Sequence, residues 1–117
     1  MDAAHPFPSP VPEPLAELIA QRFRVLGDPS RIRLLDALRD GPATVGELVD
    51  SLGCSQQNVS KHLSVLHGAA IVTRTKRGTF VEYAIADEGV FALCEEVCGG
   101  LRQQLQDLDQ ILTGGTA

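Results

Sequence analysis

Two short amphipathic segments joined by a two-residue turn constrain the fold of this chain more than any other feature. The first, residues 45–52, follows Thr44, and Glu47 completes the pattern of a capping box at a helix start. The second follows Ser55, whose hydroxyl suits the N-cap position because it can accept from the free amides of a first helical turn. Gly53 and Cys54 leave room only for a tight turn between them. This order predicts a helix-turn-helix unit.

The second segment, residues 55–66, has one apolar face and one polar, nearly uncharged face. Val59, Leu63 and Leu66 recur at helical spacing and predict the buried side. On the other side, Gln and Asn can offer a donor and an acceptor together to an adenine edge, while Ser and Lys reach base edges or phosphate. Taken alone, a solvated amphipathic helix explains the pattern equally well. The candidate DNA-binding residues are Ser55, Gln56, Gln57, Asn58, Ser60, Lys61, His62 and Ser64.

Residues 71–85 divide into two β-rich runs on either side of Lys76, Arg77 and Gly78. Apolar positions alternate in the second run, and the glycine supplies a turn. The pattern predicts a two-stranded wing with cations at its tip. Arg74, Lys76 and Arg77 are its candidate DNA-binding residues, because cations there would meet phosphate or enter a minor groove and add affinity without sequence choice.

The distribution of charge supports nucleic-acid binding although the total does not. The chain carries ten Lys and Arg against fifteen Asp and Glu, a net charge of -5. Residues 54–81, however, contain four basic residues and no acid, whereas residues 82–117 contain one base and seven acids. A basic island in an acidic chain indicates a localised binding surface that the global charge hides. We therefore expect double-stranded DNA as a partner.

Length and composition favour one small domain. The chain has 117 residues and no tryptophan, so its core must rely on aliphatic side chains. Five of the seven prolines lie in residues 1–14 and favour an extended arm. We expect a flexible arm over residues 1–13, a DNA-binding and dimerisation domain over 14–112 and a disordered tail over 113–117. No apolar run approaches the roughly 20 residues of a membrane span and no signal peptide is evident, so we expect a cytoplasmic protein without a membrane partner.

Helical patterns flank the helix-turn-helix segment on both sides. Pro14 can open a first helix that Gly27 ends, and Asp28 can cap a second helix with Pro29 at its first position. The predicted buried face of the second helix is Ile32, Leu34, Leu35 and Leu38, with Arg31 and Arg33 solvated or near phosphate.

A last long helix follows Asp87, which we expect to cap it. Its apolar stripe steps by threes and fours from Val90 to Leu112, and no later element is available to cover it. Such a stripe predicts pairing with the same helix of a second copy. Gly99 and Gly100 within it either permit close helix approach or mark a weak point.

The motifs together resemble the ArsR/SmtB family of bacterial metal- and stress-responsive repressors, over about residues 23–105. The most specific segments are Leu26 to Leu35, which is similar to the family's LxDPTRxxIL signature, then residues 45–48, residues 57–63 and the end of the wing at residues 81–85. The resemblance implies a mainly α fold with a small β-hairpin wing (α+β), a winged helix-turn-helix that forms a homodimer through its first and last helices. It also implies a repressor released from its operator by an effector.

The three cysteines are an odd count in a chain expected to be cytoplasmic, which argues against structural disulfides. Cys94 and Cys98 are four residues apart and share a helix face, where they either pack, sense thiol oxidation or bind a soft metal or metalloid ion. A second copy would bring the number of sulfurs to four. Cys54 is expected to be a buried turn residue, and His5 is a speculative further ligand. Where the family places known metal sites, only Asp87 is a ligand type; the other positions hold Thr44, Gly46, Val65, Ala69, Gly89, Gly100 and Gln103.

The sequence therefore predicts a homodimeric DNA-binding repressor, released by a thiophilic ion or by thiol oxidation. The alternatives are a winged-helix protein-interaction module and a regulator with no bound effector. We do not expect an enzyme, because no nucleophile, base and orienting acid fall into a spaced motif and no glycine-rich phosphate loop occurs.

Overall fold

A computed structural model describes residues 7–114, which divide into two units at Ala86 and Asp87. The first unit contains four helices and three strands: α1 Glu13–Leu26, α2 Pro29–Leu38, β1 Ala43–Thr44, α3 Val45–Leu52, α4 Gln56–Gly68, β2 Val72–Arg77 and β3 Phe80–Ile85. The second unit contains α5, Gly89–Leu112. None of these helices is long and apolar enough to cross a lipid bilayer. The predicted mainly α fold with a β-hairpin wing is confirmed.

Local capping explains where the helices of the first unit begin. Asp28 accepts from the backbone N–H groups of Ser30 and Arg31 at the start of α2. At the start of α3, the Thr44 hydroxyl accepts from the Glu47 N–H at 3.2 Å and the Glu47 carboxylate accepts from the Thr44 N–H at 2.9 Å, which is a complete capping box. The predicted caps at these two positions are confirmed.

The turn between α3 and α4 requires a glycine. Gly53 adopts φ 70°, a left-handed conformation that a side chain disfavours, and its N–H donates to the Val49 carbonyl at 2.8 Å. The half-buried Cys54 thiol lies 3.8 Å from the Leu52 carbonyl. This turn ends α3 and allows α4 to begin three residues later.

The sheet has three strands in the order β1-β3-β2, one more than predicted. The hairpin pairs Val72 with Ile85 and Arg77 with Phe80, so Lys76 and Arg77 belong to β2 and the turn is made by Gly78 and Thr79. The two-residue strand β1 pairs antiparallel with β3, opposite Tyr83 and Glu82. Because Thr44 is both the end of β1 and the cap of α3, this pairing joins the wing to the helix-turn-helix.

The core of the first unit is aliphatic, as the composition predicts. Its buried side chains come from every helix and from the hairpin: Leu26, Leu34, Leu35, Leu38, Leu48, Val59, Leu63, Leu66, Ile71, Val72 and Tyr83. The prediction for Ile32 is wrong, because its side chain is 43% exposed on α2. Helix α1 begins at Glu13, one residue earlier than predicted, with Pro14 in its first turn.

Helix α5 makes up most of the second unit. Its N-cap position is Glu88, whose side chain makes no capping hydrogen bond, while the Asp87 carboxylate accepts from the Gly89 N–H at 3.0 Å. The prediction that Asp87 occupies the N-cap position is therefore wrong by one residue, although its carboxylate does accept from the first N–H of the helix. Most of the apolar stripe that the sequence predicts on this helix is exposed, namely Val97, Leu101, Leu105, Leu108 and Leu112, whereas Val90 is buried. Ile111, which lies outside the predicted stripe, is exposed as well.

Candidate nucleic-acid interface

The polar face of α4 is presented to solvent and its apolar face is buried. Val59, Leu63 and Leu66 are buried, which fixes the rotation of the helix about its axis. Ser55 caps the helix by accepting from the Asn58 N–H at 3.1 Å. The predicted DNA-binding residues that are exposed here are Ser55, Gln56, Gln57, Asn58, Ser60, Lys61 and Ser64.

His62 is half-buried and lies apart from this exposed set. Its Nδ1 atom is 3.1 Å from Nη1 of Arg31 in α2. The guanidinium of Arg31 also donates through Nε to the Val25 carbonyl and through Nη2 to the Arg24 carbonyl. The expectation that Arg31 is solvated or near phosphate is therefore wrong, because its donors are committed to α1 and α4.

The carboxylate of Asp28 lies at the same junction. The Arg31 N–H that donates to this carboxylate is the main cause that lowers the pKa of Asp28 below its usual value. Burial acts in the opposite direction, and the Ser30 N–H and the Arg31 guanidinium lower the pKa further. An ionised Asp28 is thus favoured by the fold. The Asp-Pro-Ser-Arg segment combines a helix cap with a cation that reaches two other helices.

The wing carries its three cations in different environments. Arg74 donates from Nε to the hydroxyl of the buried Tyr83 at 3.2 Å. Arg77 forms an ion pair with Glu82 across the hairpin, with Nε 3.2 Å from Oε1. Lys76 is exposed, and its ammonium forms no ion pair within the described part of the chain. The structure therefore brings Arg74, Lys76 and Arg77 onto one hairpin, as predicted, but two of them have protein partners.

The sequence reasoning missed three residues that hold the predicted contacts in place: Arg31, Tyr83 and Glu82. The partners of Tyr83 and Glu82 are recoverable from strand register, since Arg74 pairs with Tyr83 and Glu82 lies opposite Thr75, diagonal to Arg77. The link from Arg31 to His62 joins residues 31 positions apart. No local sequence pattern predicts a contact between residues so far apart.

The candidate thiols lie on α5. Cys94 is half-buried and Cys98 is exposed, with Nη2 of Arg102 3.7 Å from the Cys98 sulfur. Across residues 7–114, no three His, Cys, Asp or Glu side chains come together as a group that could hold a metal ion. The described residues of one chain therefore do not supply a three- or four-ligand site for a soft metal. His5, the speculative further ligand, lies outside the described residues.

Comparison with known proteins identifies the fold and the family. A model of a helix-turn-helix domain family matches residues 26–75. The transcriptional regulator Rv0081 of Mycobacterium tuberculosis is 34% identical over 110 residues, which cover 90% of this chain and 96% of that protein. Its crystal structure superposes with a TM-score of 0.72 over 82% of this chain and 97% of Rv0081.

Two further proteins resemble parts of the chain. The regulator CmtR of M. tuberculosis is 46% identical over 69 residues, 59% of this chain, so the chain spans only 58% of the length of that relative. Its NMR structure, described as that of a cadmium sensor, gives a TM-score of 0.53 over 59% of this chain and 71% of CmtR. The homodimeric winged helix-turn-helix domain of Mb0332 from Mycobacterium bovis, a possible ArsR-family regulator, gives a TM-score of 0.67 at 27% identity over 74% of this chain and 82% of that domain.

These likenesses follow the same elements that carry the candidate interface. The family match spans α2, α3, α4 and the start of β2, and the match to Rv0081 extends over nearly the whole of both proteins. Five helices and a small three-stranded antiparallel sheet are found in the described residues, and the similar structures are winged helix-turn-helix regulators. This chain belongs to the ArsR/SmtB family of winged helix-turn-helix transcriptional regulators.

Proposed function

We propose that this protein is a homodimeric, sequence-specific DNA-binding repressor that reads its operator with α4 and grips the backbone with the β2–β3 wing. The observation that carries the proposal is the exposed polar face of α4, fixed by three buried apolar residues and set in a segment free of acids. The family membership supports it. Binding to chromosomal operators would make the protein cytoplasmic and requires no catalytic residue.

Helix α4 suits the major groove, which is wide enough to admit an α-helix. Gln56, Gln57 and Asn58 are exposed in its first turn, where a recognition helix reaches base edges. Their amides can pair with adenine through a donor and an acceptor together. Lys61 and Ser64, one and two turns further on, are suited to guanine or phosphate. In this arrangement the amides select the sequence and the cation adds affinity.

The wing supplies contacts that do not depend on sequence. Lys76 is exposed and its ammonium forms no ion pair with any residue in 7–114, which makes it the principal phosphate contact among the wing residues. Arg74 is steadied by Tyr83 and Arg77 by Glu82, so their guanidinium groups are presented in defined positions. We infer that all three line the DNA backbone beside the groove that α4 enters.

We infer that a second copy of the chain covers the exposed stripe of α5. Five of the apolar side chains from Val97 to Ile111 are at least 49% exposed, and an exposed apolar stripe of this kind is typical of a protein–protein interface. Leu18 and Phe23 of α1 are also exposed, and we infer that α1 takes part in dimerisation as well. A two-fold dimer would place two α4 helices in successive major grooves about 34 Å apart on a pseudo-palindromic site. The Mb0332 domain is itself described as homodimeric, which favours this assembly.

We propose Cys94 and Cys98 as the place where a thiophilic ion or an oxidant acts to release DNA. Two sulfurs of one chain do not make a complete site, so a bound soft ion would need ligands from the second copy. The similar protein CmtR is a cadmium sensor, so a metal ion is the first effector to test. Native mass spectrometry of the dimer with cadmium, zinc and arsenite, against Cys94→Ser and Cys98→Ser, tests it. Mass shifts that persist in both variants, or no shift in the wild type, contradict a metal role.

The DNA proposal is tested by gel shift and fluorescence anisotropy on a duplex from the protein's own promoter and on a scrambled duplex. Lys76→Ala should weaken binding to both and lower the dependence of log K on log salt by about one per chain. Gln57→Ala should weaken binding to the promoter more than to the scrambled duplex, because it removes a base contact rather than a charge.

A matched control removes one cation outside the basic island. Arg24→Ala makes the same charge change as Lys76→Ala on an exposed position of α1, and should leave the salt dependence unchanged. Equal losses on both duplexes for Gln57→Ala would refute its base-reading role. An affinity that stays constant as salt is raised would refute DNA binding through the wing and favour a protein-interaction module.

A further inference from the structure

Arg31 ties the recognition helix to the end of α1. Its Nε and Nη2 donate to the Val25 and Arg24 carbonyls, and its Nη1 lies 3.1 Å from Nδ1 of His62. The carbonyls belong to the last turn of α1, where a helix has no backbone donors left to satisfy them. A cation at this end is also favourable for the helix dipole. One guanidinium therefore caps α1 and contacts α4 at the same time.

The chemistry of the contact fixes the roles of the two groups. Guanidinium is only a donor, so Nδ1 of His62 is the acceptor and the ring proton of the neutral form is on Nε2. His62 is half-buried, one residue after the exposed Lys61 and one turn after the exposed Asn58. Its ring is thus held from behind while neighbouring side chains project outward.

The start of α2 keeps Arg31 in place. The Asp28 carboxylate accepts from the Arg31 N–H at 3.2 Å and from the Ser30 N–H at 2.8 Å. The cap therefore fixes the backbone from which the guanidinium extends. In the Asp-Pro-Ser-Arg segment, the aspartate orders the first turn of α2 and the arginine uses that order to join α1 and α4.

We infer that Arg31 and His62 are positioning residues for base reading: their hydrogen bond sets the orientation of α4 relative to the end of α1, and neither contacts DNA. This inference rests on the proposed DNA-binding function. Hydrogen bonds to base edges tolerate only small errors in distance and angle, whereas the attraction between cations and phosphates tolerates larger ones. Loss of the link therefore costs operator affinity more than affinity for unrelated DNA. His62 affects recognition through Arg31, although the sequence alone places it among the DNA contacts.

The test compares two replacements of His62 in the full-length protein. His62→Asn keeps an acceptor near the position of Nδ1, whereas His62→Phe keeps the size of the ring and removes every acceptor. Affinities are measured by anisotropy on a duplex selected by the wild-type protein from a random library, and on a scrambled duplex of the same composition. We expect His62→Phe to lower the affinity for the selected duplex about tenfold and the affinity for the scrambled duplex less than about twofold. His62→Asn should retain most of the wild-type affinity for the selected duplex.

The same test is made from the other partner. Arg31→Lys keeps the charge but cannot reach the α1 carbonyls and His62 together, so it should reproduce the selective loss. The variant with both Arg31→Lys and His62→Phe should be no worse than the poorer single variant, because one link is lost only once. Thermal unfolding of each variant establishes that it is folded at the assay temperature, and Arg31→Lys serves if His62→Phe does not fold.

The outcomes separate this inference from the proposed function. A wild-type protein that selects no duplex refutes the DNA-binding proposal itself. A wild-type protein that selects a duplex, with His62→Phe as selective as the wild type, refutes only the positioning role. Equal losses on both duplexes, additive losses in the double variant, or no recovery with His62→Asn also overturn it.

Discussion

Helices α4 and α5 are both amphipathic, but the apolar face of α4 is buried whereas most of the apolar face of α5 is exposed. On α4, Leu63 and Leu66 are 0% exposed, although the helix has only 13 residues. On α5, which has 24 residues, Leu101 is 54% exposed and Leu105 is 66% exposed. The shorter helix is built into the core of a single chain, and the longer one keeps an apolar face that the described chain does not cover.

The difference separates two kinds of stability. Burial of Val59, Leu63 and Leu66 is a property of one chain and does not depend on concentration. Burial of the α5 face would be a property of an assembly, and its contribution would grow with the concentration of the chain. In the proposed function, a change in the assembly through α5 would therefore leave the core beneath α4 unaltered.

The largest expected effect is on the α4 side. Leu63→Ala should lower the free energy of unfolding by about 2–5 kcal/mol, because it opens a cavity in a core where Leu63 is completely buried. Chemical denaturation monitored by circular dichroism measures this. Ser64→Ala, the next residue and exposed, should change stability by less than about 0.5 kcal/mol. Equal changes in the free energy of unfolding for Leu63→Ala and Ser64→Ala would contradict the conclusion that the apolar face of α4 is part of the core of one chain.

The next largest effect is on assembly. Leu105→Glu should weaken self-association on the order of a hundredfold, because the second copy would have to bury an unpaired carboxylate. Analytical ultracentrifugation measures the association, and circular dichroism should show an unchanged helical content. Gln106→Glu adds the same charge at the next position and should have little effect. A dimer that survives Leu105→Glu would mean that the exposed stripe of α5 is not the interface.

Gly99→Ala tests whether this glycine weakens α5 or permits a close approach of a second helix. A methyl group at Gly99 would meet no atom within 4 Å in the described chain, and by helical spacing Gly99 faces away from Leu101. We expect stabilisation by about 1 kcal/mol, measured as a higher melting temperature, with self-association unchanged. Weaker association in this variant would instead show that the glycine permits close helix approach.

The smallest effect is the dependence of stability on pH in the first unit. The pKa of Asp28 is lowered in the folded chain, mainly by the Arg31 N–H, so the ionised carboxylate stabilises the fold fully at pH values above the pKa that Asp28 has in the unfolded chain. This contribution is lost as the pH falls through the folded pKa. Asp28→Asn retains a good N-cap and should flatten the acid limb of the stability profile measured by denaturation. An unchanged limb would contradict the assignment.

The features that sequence could predict are those determined by neighbours in the chain. The caps at Asp28, Thr44 and Ser55 were predictable because each bonds to a backbone N–H no more than three residues away. The boundaries of α3 and the existence of the hairpin follow from the same kind of local pattern.

The wrong or missing predictions concern features that depend on contacts between residues far apart in the sequence. Ile32 has the spacing of a core residue but is exposed, because the packing of α2 in the fold, not its pattern, determines which edge of the face is covered. Strand β1 is only two residues long and exists through pairing with β3. The guanidinium of Arg31 reaches α1 and α4, and neither destination is visible in the residues next to it. Whether the predicted DNA and thiol residues bind their ligands stays a prediction.

The ion pair across the hairpin has a consequence for how firmly the wing holds any polyanion. A phosphodiester that approaches Arg77 competes with the carboxylate of Glu82, which is already 3.2 Å from Nε. The energy gained at that position is the difference between two charge-assisted hydrogen bonds and not the whole of one. The affinity that Arg77 adds for DNA of any sequence would therefore be small. A long residence time on DNA would depend on the contacts that α4 makes with the bases.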